Sequence, residues 1–255
     1  MTIRAVLFDL GETLWHIPDA PPVEKIREET VRRIFALLRS WDIEPEGELH
    51  FLGRDIRLAI GAADSKAYEG DCVSPHFPTV VGEVAAAKGL DLTPEQSEQL
   101  WEAWNLGGPF FGRRLFDDAT EALETLRDRG YRLGCVTNRA FGGPAFVNEV
   151  EEHGLAGFFE VVSVSCELGY MKPHPKIFQH ALDAIAVAPE EAVMVGDSLG
   201  ADVAGAQALG MTAVWRPRPS KHGEIDGVRP DFVVDELRAI PELPCFRADG
   251  RPSDG

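Results

Sequence analysis

The stretch LFDLGETLW, residues 7–15, decides how the rest of the chain is read. Val6 to Phe8 form a short apolar run, the length of a buried strand. Asp9 follows at once, at the expected strand end, and Leu10, Gly11, Glu12 and Thr13 come next. A carboxylate at the end of a buried strand, with a glycine two positions later, needs a reason.

Two textures divide the 255 residues downstream and upstream of it. From Val23 to about Leu106 the pattern is helical. Val23, Ile26, Thr30, Ile34, Leu38 and Trp41 recur at spacings of three and four, as do Leu49, Leu52, Ile56 and Ile60. Thr93 and Pro94 mark a helix start, a capping hydroxyl followed by a first-turn proline. Leu100, Trp101 and Trp104 then form an apolar stripe suited to core packing. From about Leu115 short apolar runs alternate with helical ones. Helices are expected at 119–129, 144–153, 175–185 and 200–209, and strands at 131–136, 159–164, 192–195, 212–215 and 231–234. This alternation predicts an α/β fold, a Rossmann-like parallel sheet with helices on both faces.

The expected organisation is an α/β catalytic core, 1–16 and 113–246, with an inserted all-helical cap domain at 17–112 and a flexible tail at 247–255. The Pro-rich stretch 17–22 and the Gly-rich stretch 107–112 are the expected hinges.

Lys and Arg total 25 against 42 Asp and Glu, a net charge of -17. A surface of that sign excludes nucleic acid or an anionic membrane as its general partner. A small anionic substrate remains open, because a local site can oppose the global sign. The four cysteines form no CxxC pair, and Cys135 and Cys166 sit in apolar, strand-like surroundings. They read as reduced buried thiols in a cytoplasmic protein. Asp9 interrupts any apolar leader, and no run approaches the length of a membrane span.

Ligands of open parallel sheets collect at the carboxyl ends of the strands. Asp9 stands after the first strand, Thr137 and Asn138 after the second, Lys172 after the third, and Asp197 after the fourth, with Asp202 five residues on. That set suits phosphoryl transfer, where positioning and charge stabilisation do most of the work. Asp9 can attack phosphorus, dividing one hard step into two. Asp9, Asp197 and Asp202 would repel one another, and a hard cation such as Mg²⁺ resolves the repulsion. Lys172 offsets the charge of Asp9 and phosphate, while Thr137 and backbone N–H groups hold phosphoryl oxygens.

With these residues in order, the chain resembles the haloacid dehalogenase-like hydrolases. The likeness spans the core through four motifs, FDLGETL, CVTN, MKPHPKIF and VGDSLGAD, and the helical insertion is similar to that family's cap. The resemblance implies a nucleophile at Asp9 and a Mg²⁺ site using Asp9, Asp197 and the backbone carbonyl of Gly11, with Asp202 in support. It implies phosphate contacts from Thr137 and Lys172, substrate contacts from Asn138 and Thr13, a small phosphorylated metabolite as substrate, and a monomer or homodimer.

Most phosphatases of that family carry a second aspartate, the general acid/base, where this chain has Gly11. Three readings follow. The chain is a phosphatase in which Glu12 or a water supplies the proton. Alternatively it is a metal-independent 2-haloacid dehalogenase, although the kept pair Asp197 and Asp202 departs from that pattern. Or it is a pseudo-enzyme that binds a phospho-ligand or protein without turnover. Arg27, His50, Arg54, Arg57 and Lys66 are the cap candidates for substrate contact, with a solvated helix face the favoured reading for most of them, and Arg139 either touches substrate or is exposed. His174 and His180 show no metal-ligand pattern.

Overall fold

Ala5–Phe8, β1, is buried at every position. A strand covered on both faces has no polar side to present, so it reads as a continuous apolar run. Its alternate side chains enter two different cores: Val6 and Phe8 one, Ala5 and Leu7 the other. The structure is a computed structural model describing residues 2–218 and 227–246, and the tail expected at 247–255 lies outside the described residues.

In chain order β1 is followed by β2 (Trp15–His16), then by α1 (Val23–Ser40), α2 (Leu52–Glu69), α3 (Phe77–Ala86), α4 (Pro94–Trp104) and α5 (Gly107–Phe111). Next come β3 (Arg114–Leu115), α6 (Ala119–Asp128), β4 (Arg132–Thr137), α7 (Gly143–Glu152), β5 (Val161–Val164), α8 (Ser165–Leu168) and α9 (Pro175–Ala184). β6 (Ala192–Gly196), a π-helical turn at Leu199–Ala204, α10 (Gly205–Ala208), β7 (Thr212–Trp215) and β8 (Phe232–Val233) follow, and 3-10 turns at Leu237–Glu242 and Pro244–Phe246 come last among the described residues.

The main sheet has the order β5-β4-β1-β6-β7-β8. Every pairing in it is parallel. Phe8 is in register with Cys135 of β4 on one side and Val195 of β6 on the other. Three strands therefore end side by side, and the strand order reverses at β1, the place where open α/β sheets bind ligands. α6 and α7 cover one face, α9 and the helix after β6 the other.

α1 to α4 build a separate apolar cluster around Ile34, Leu38, Ile56, Phe77, Val81 and Leu100. Trp101 and Trp104 pack on it, as expected of the stripe, and each indole N–H donates to a backbone carbonyl, of Ala140 and Gly53. The first of these bonds ties the helical segment to the loop after β4. A second tie runs along the chain before α9, where Ser74 N donates to the Gly169 carbonyl and Met171 N to the Cys72 carbonyl.

α4 begins with a complete capping box: Thr93 Oγ1 accepts from Gln96 N, and Gln96 Oε1 accepts from Thr93 N. Thr93→Ala is expected to lower stability by about 1 kcal/mol. Urea unfolding checks this, and an unchanged midpoint would show that the helix end is held by packing alone.

Three details differ from the sequence expectation. The stretch 107–112 is not an open hinge but the short helix α5, closed by Gly112 at φ 66°. α3 is an element of its own, buried through Phe77, Val81 and Ala85, which the broad helical texture did not separate. β5 starts at Val161, and Cys166 lies on α8, because the strand ends at Val164 and the chain turns helical at once. All four cysteines are free thiols, with Cys72 and Cys135 buried and Cys166 and Cys245 partly so.

Candidate active site

The strand ends bring Asp9, Thr137, Asn138, Lys172, Asp197 and Asp202 around one cavity of about 460 Å³. Asp9 follows β1 and donates its backbone N–H to the Val195 carbonyl, so its position is fixed by the sheet. Thr137 is the last residue of β4 rather than the first of the loop, and it is buried. Asn138 is tied to the lysine loop in both directions: its Nδ2 donates to the Lys172 carbonyl at 2.9 Å, and its Oδ1 accepts from Lys172 N at 2.7 Å.

Lys172 is the centre of the charges. Its Nζ lies 2.7 Å from Asp9 Oδ1 and 2.6 Å from Asp202 Oδ1, with its side chain 2% exposed. Burial works against the ammonium, yet Asp202 and Asp9 outweigh it and hold the amine above its ordinary range. Burial also raises the Asp202 carboxyl and the charge of Asp9 adds to it, while Lys172 opposes both. Cys135, in register with Phe8, is fully buried, and burial pushes its thiol far above the usual value.

One carboxylate oxygen from each of Asp9, Asp197 and Asp202 lies within 4.8 Å of the others. Three carboxylates against one ammonium leave a buried excess of negative charge, the donor set of a hard divalent cation. Both oxygens of Asp202 are already engaged, Oδ1 by Lys172 Nζ and Oδ2 by Ser198 N at 2.9 Å. Asp9, Gly11, Asp197 and Asp202 all line the cavity, so their oxygens could hold such a cation there.

Gly196 explains how Asp202 comes so close to the sheet. A Cβ at position 196 would lie 2.2 Å from Asp202 Cγ. Gly196→Ala is expected to displace that carboxylate and lower stability by about 1–3 kcal/mol through overpacking. Chemical unfolding reads the loss, and a fully wild-type profile would mean that the helix after β6 yields freely.

Several expectations need correction. Thr13 is fully buried and does not line the cavity; its hydroxyl donates to Asp9 Oδ2 at 3.4 Å, so it positions the carboxylate rather than meeting substrate. Glu12 lines the cavity, but its carboxylate faces Arg218, 3.4 Å away, and its carbonyl accepts from Arg216. Its φ of 60° turns the chain there. Arg27, His50, Arg54 and Arg57 line a separate cleft between α1 and α2, and Lys66 is absent from the strand-end cavity. Among the described residues Tyr68 is the one that α2 contributes, its phenol raised above the usual range by burial. Arg139 is not exposed: its side chain is 8% accessible. His174 caps α9 through Nδ1, and His180 meets the Ser163 hydroxyl at 2.8 Å through Nδ1.

The sequence reading missed Trp15, Tyr68, Arg113, Phe141 and Ser198 as lining residues. Only Ser198 carried a usable signal, as the neighbour of Asp197 at a strand end.

Comparison with known proteins agrees with this geometry. The profile of the haloacid dehalogenase-like hydrolases matches residues 3–210. The chain belongs to this family. It is accordingly a hydrolase. It is 32% identical over 248 residues to a glyceraldehyde 3-phosphate phosphatase of Methanopyrus kandleri, covering 94% of this chain and 97% of that one. It is 39% identical to a phosphoserine phosphatase of Thermus thermophilus over 58% of this chain and 57% of the relative. Among solved structures, a HAD phosphatase from Thermococcus onnurineus superposes with a TM-score of 0.56 at 27% identity, over 94% of this chain and 97% of the other. A 2-haloacid dehalogenase from Pseudomonas syringae does so with a TM-score of 0.65 at 25% identity, over the same shares of 94% and 97%. Among the described residues no helix is long and apolar enough to cross a membrane.

Proposed function

We propose that this hydrolase is a Mg²⁺-dependent phosphatase acting on a small phosphomonoester through an aspartyl phosphate at Asp9. The observation that carries the reading is the buried cluster of Asp9, Asp197 and Asp202 around Lys172, since three converging carboxylates have no use in a site without a cation. The phosphatase relatives support the same reading.

In this reading an Asp9 oxygen attacks phosphorus, the bond from phosphorus to the leaving oxygen breaks, and the alcohol departs with a proton. Water then attacks the aspartyl phosphate, releasing phosphate and restoring the carboxylate. Lys172 offsets charge on Asp9 and the phosphoryl oxygens, and the Thr137 hydroxyl donates to one of those oxygens. Mg²⁺, when bound by Asp9, Asp197 and the Gly11 carbonyl, supplies electrostatic stabilisation of the transferring group. Because the Glu12 carboxylate is directed to Arg218, a water is the better source of the proton that an aspartate at position 11 would deliver. A substrate whose leaving group needs little protonation suits such a site.

The test is hydrolysis of p-nitrophenyl phosphate with Mg²⁺ and with EDTA. Release of nitrophenol is expected with the metal, with near-complete loss on chelation. Equal rates in both conditions would overturn the metal-dependent mechanism. A second reading, 2-haloacid dehalogenation, is favoured by the TM-score of 0.65 to the Pseudomonas syringae dehalogenase. Turnover of 2-chloropropionate in EDTA, without phosphatase activity, would establish it instead.

A further inference from the structure

Two arginines share the cavity with the carboxylate cluster. Arg113 precedes β3, and Arg139 follows Asn138 after β4; both line the space that holds Asp9, Thr137 and Lys172. Their side chains are 12% and 8% accessible. Both pair with one carboxylate, Glu149 of α7, which is 4% accessible: Arg113 Nη1 meets Oε1, and Arg139 Nη2 lies 3.3 Å from Oε2.

One glutamate cannot balance two guanidinium groups. Aromatic rings also pack against both. The guanidinium of Arg139 lies 4.2 Å from the Phe146 ring centroid, 4.6 Å from Phe141 and 5.6 Å from Trp15, and that of Arg113 lies 4.8 Å from Trp15. These rings fix the planes of the guanidinium groups without supplying a counter-anion. Burial pulls Arg139 down to about 10, with repulsion from Arg113 the next cause. Each guanidinium carries five N–H donors. Among the described residues only the Phe141 carbonyl and Glu149 accept from the Arg139 side chain, and only Glu149 from the Arg113 side chain.

The hydrolysed phosphate is expected at Asp9, Thr137 and Lys172, and a cavity of about 460 Å³ has room for more than that group. We propose that Arg113 and Arg139 form a second anion subsite, so that the substrate is a small phosphomonoester carrying a further anionic group, a carboxylate or a second phosphate. This rests on the phosphatase reading above and narrows its substrate class. Glu149 sets the spacing of the two arginines, and the aromatic rings exclude water around them, which strengthens a charge-assisted pair.

The competing explanation is that the three charged residues only join α7 to β3. It predicts that changing Arg113 lowers stability and leaves substrate preference alone, so preference is the readout. The probes are 2-phosphoglycolate, 1,2-ethanediol bisphosphate and ethyl phosphate, which lacks the second anion. Wild-type kcat/KM is expected to favour one or both of the first two over ethyl phosphate by at least about tenfold; which of the two is preferred separates carboxylate from phosphate. In Arg113→Gln the ratio is expected to fall to near one, with Arg113→Lys between. A wild-type ratio near one, or the wild-type ratio kept by Arg113→Gln, overturns the proposal. If Arg113→Gln does not fold, Arg113→Lys and the wild-type ratio decide. Calorimetric binding of the same three probes to the Asp9→Asn protein reads the preference without turnover. If no probe is hydrolysed, the binding ratio decides the subsite, and p-nitrophenyl phosphate hydrolysis decides the phosphatase reading separately.

Discussion

Asp9→Asn is expected to lower kcat for p-nitrophenyl phosphate by ~10⁴-fold or more, with no loss of stability. The two halves of this result come from the same geometry. The amide has nearly the shape of the carboxylate: its oxygen can still accept from Lys172 Nζ, 2.7 Å from the present Oδ1, while its Nδ2, in the place of Oδ2, donates to the Thr13 hydroxyl, which can accept as well as donate. What it lacks is the negative oxygen that attacks phosphorus, and without it the reaction loses its covalent path. Stability is governed by charge. Lys172 faces Asp9 and Asp202 together, with Asp197 near both, so the cluster holds more negative charge than its single ammonium neutralises. Removing one carboxylate relieves repulsion and leaves the pair of Lys172 and Asp202, which remains charge-balanced. The melting temperature of Asp9→Asn is therefore expected at or above that of the wild type in EDTA. Retained activity would show that Asp9 is not the nucleophile, and a large drop in melting temperature would show that the ammonium depends chiefly on Asp9.

The parts of this site that were legible in the sequence are those tied to a strand end. Asp9, Thr137 and Asp197 each terminate an apolar run, and parallel pairing of β1 with β4 and β6 places those ends side by side whatever the loops do. Lys172 was legible through its motif, although nothing in the spacing shows that it bridges two carboxylates. The arginine pair was not legible. Arg113, Arg139 and Glu149 lie on separate elements, 26 and 10 residues apart in chain order for one arginine and its neighbours Arg113 and Glu149, and only the packing of α7 over the sheet brings them together. The pairing of Glu12 was illegible for a similar reason: its partner Arg218 lies 206 residues away. The segment 23–106 is helical as its periodicity predicts, and none of Arg27, His50, Arg54, Arg57 and Lys66 lines the strand-end cavity. Helical periodicity identifies the buried stripe of α1 and α2, but not which part of the opposite surface meets the core. The structure turns Arg27, Arg54 and Arg57 away from the strand ends and brings Tyr68, at the end of α2, to them.

Gly11→Asp is expected to raise kcat/KM for ethyl phosphate by about 10²-fold, and for p-nitrophenyl phosphate by only a few-fold. Space allows the change. A Cβ at position 11 meets nothing within 4 Å, and Gly11 is not among the residues of positive φ, so an aspartate needs no unusual backbone. The position lines the cavity beside Asp9, where a carboxyl can protonate the leaving oxygen and then draw a proton from water. Arg113 and Arg139 line the same cavity and offset part of the added charge. The contrast between substrates carries the argument. Ethoxide is a poor leaving group and gains most from a proton donor, whereas nitrophenolate leaves readily without one. A gain confined to the alkyl ester shows that the wild-type site lacks only its acid. An equal gain on both esters would point instead to better binding of the phosphate. A fall on both would show that the room above Gly11 is the substrate's own, and that the glycine was retained to admit a bulkier group beside the nucleophile.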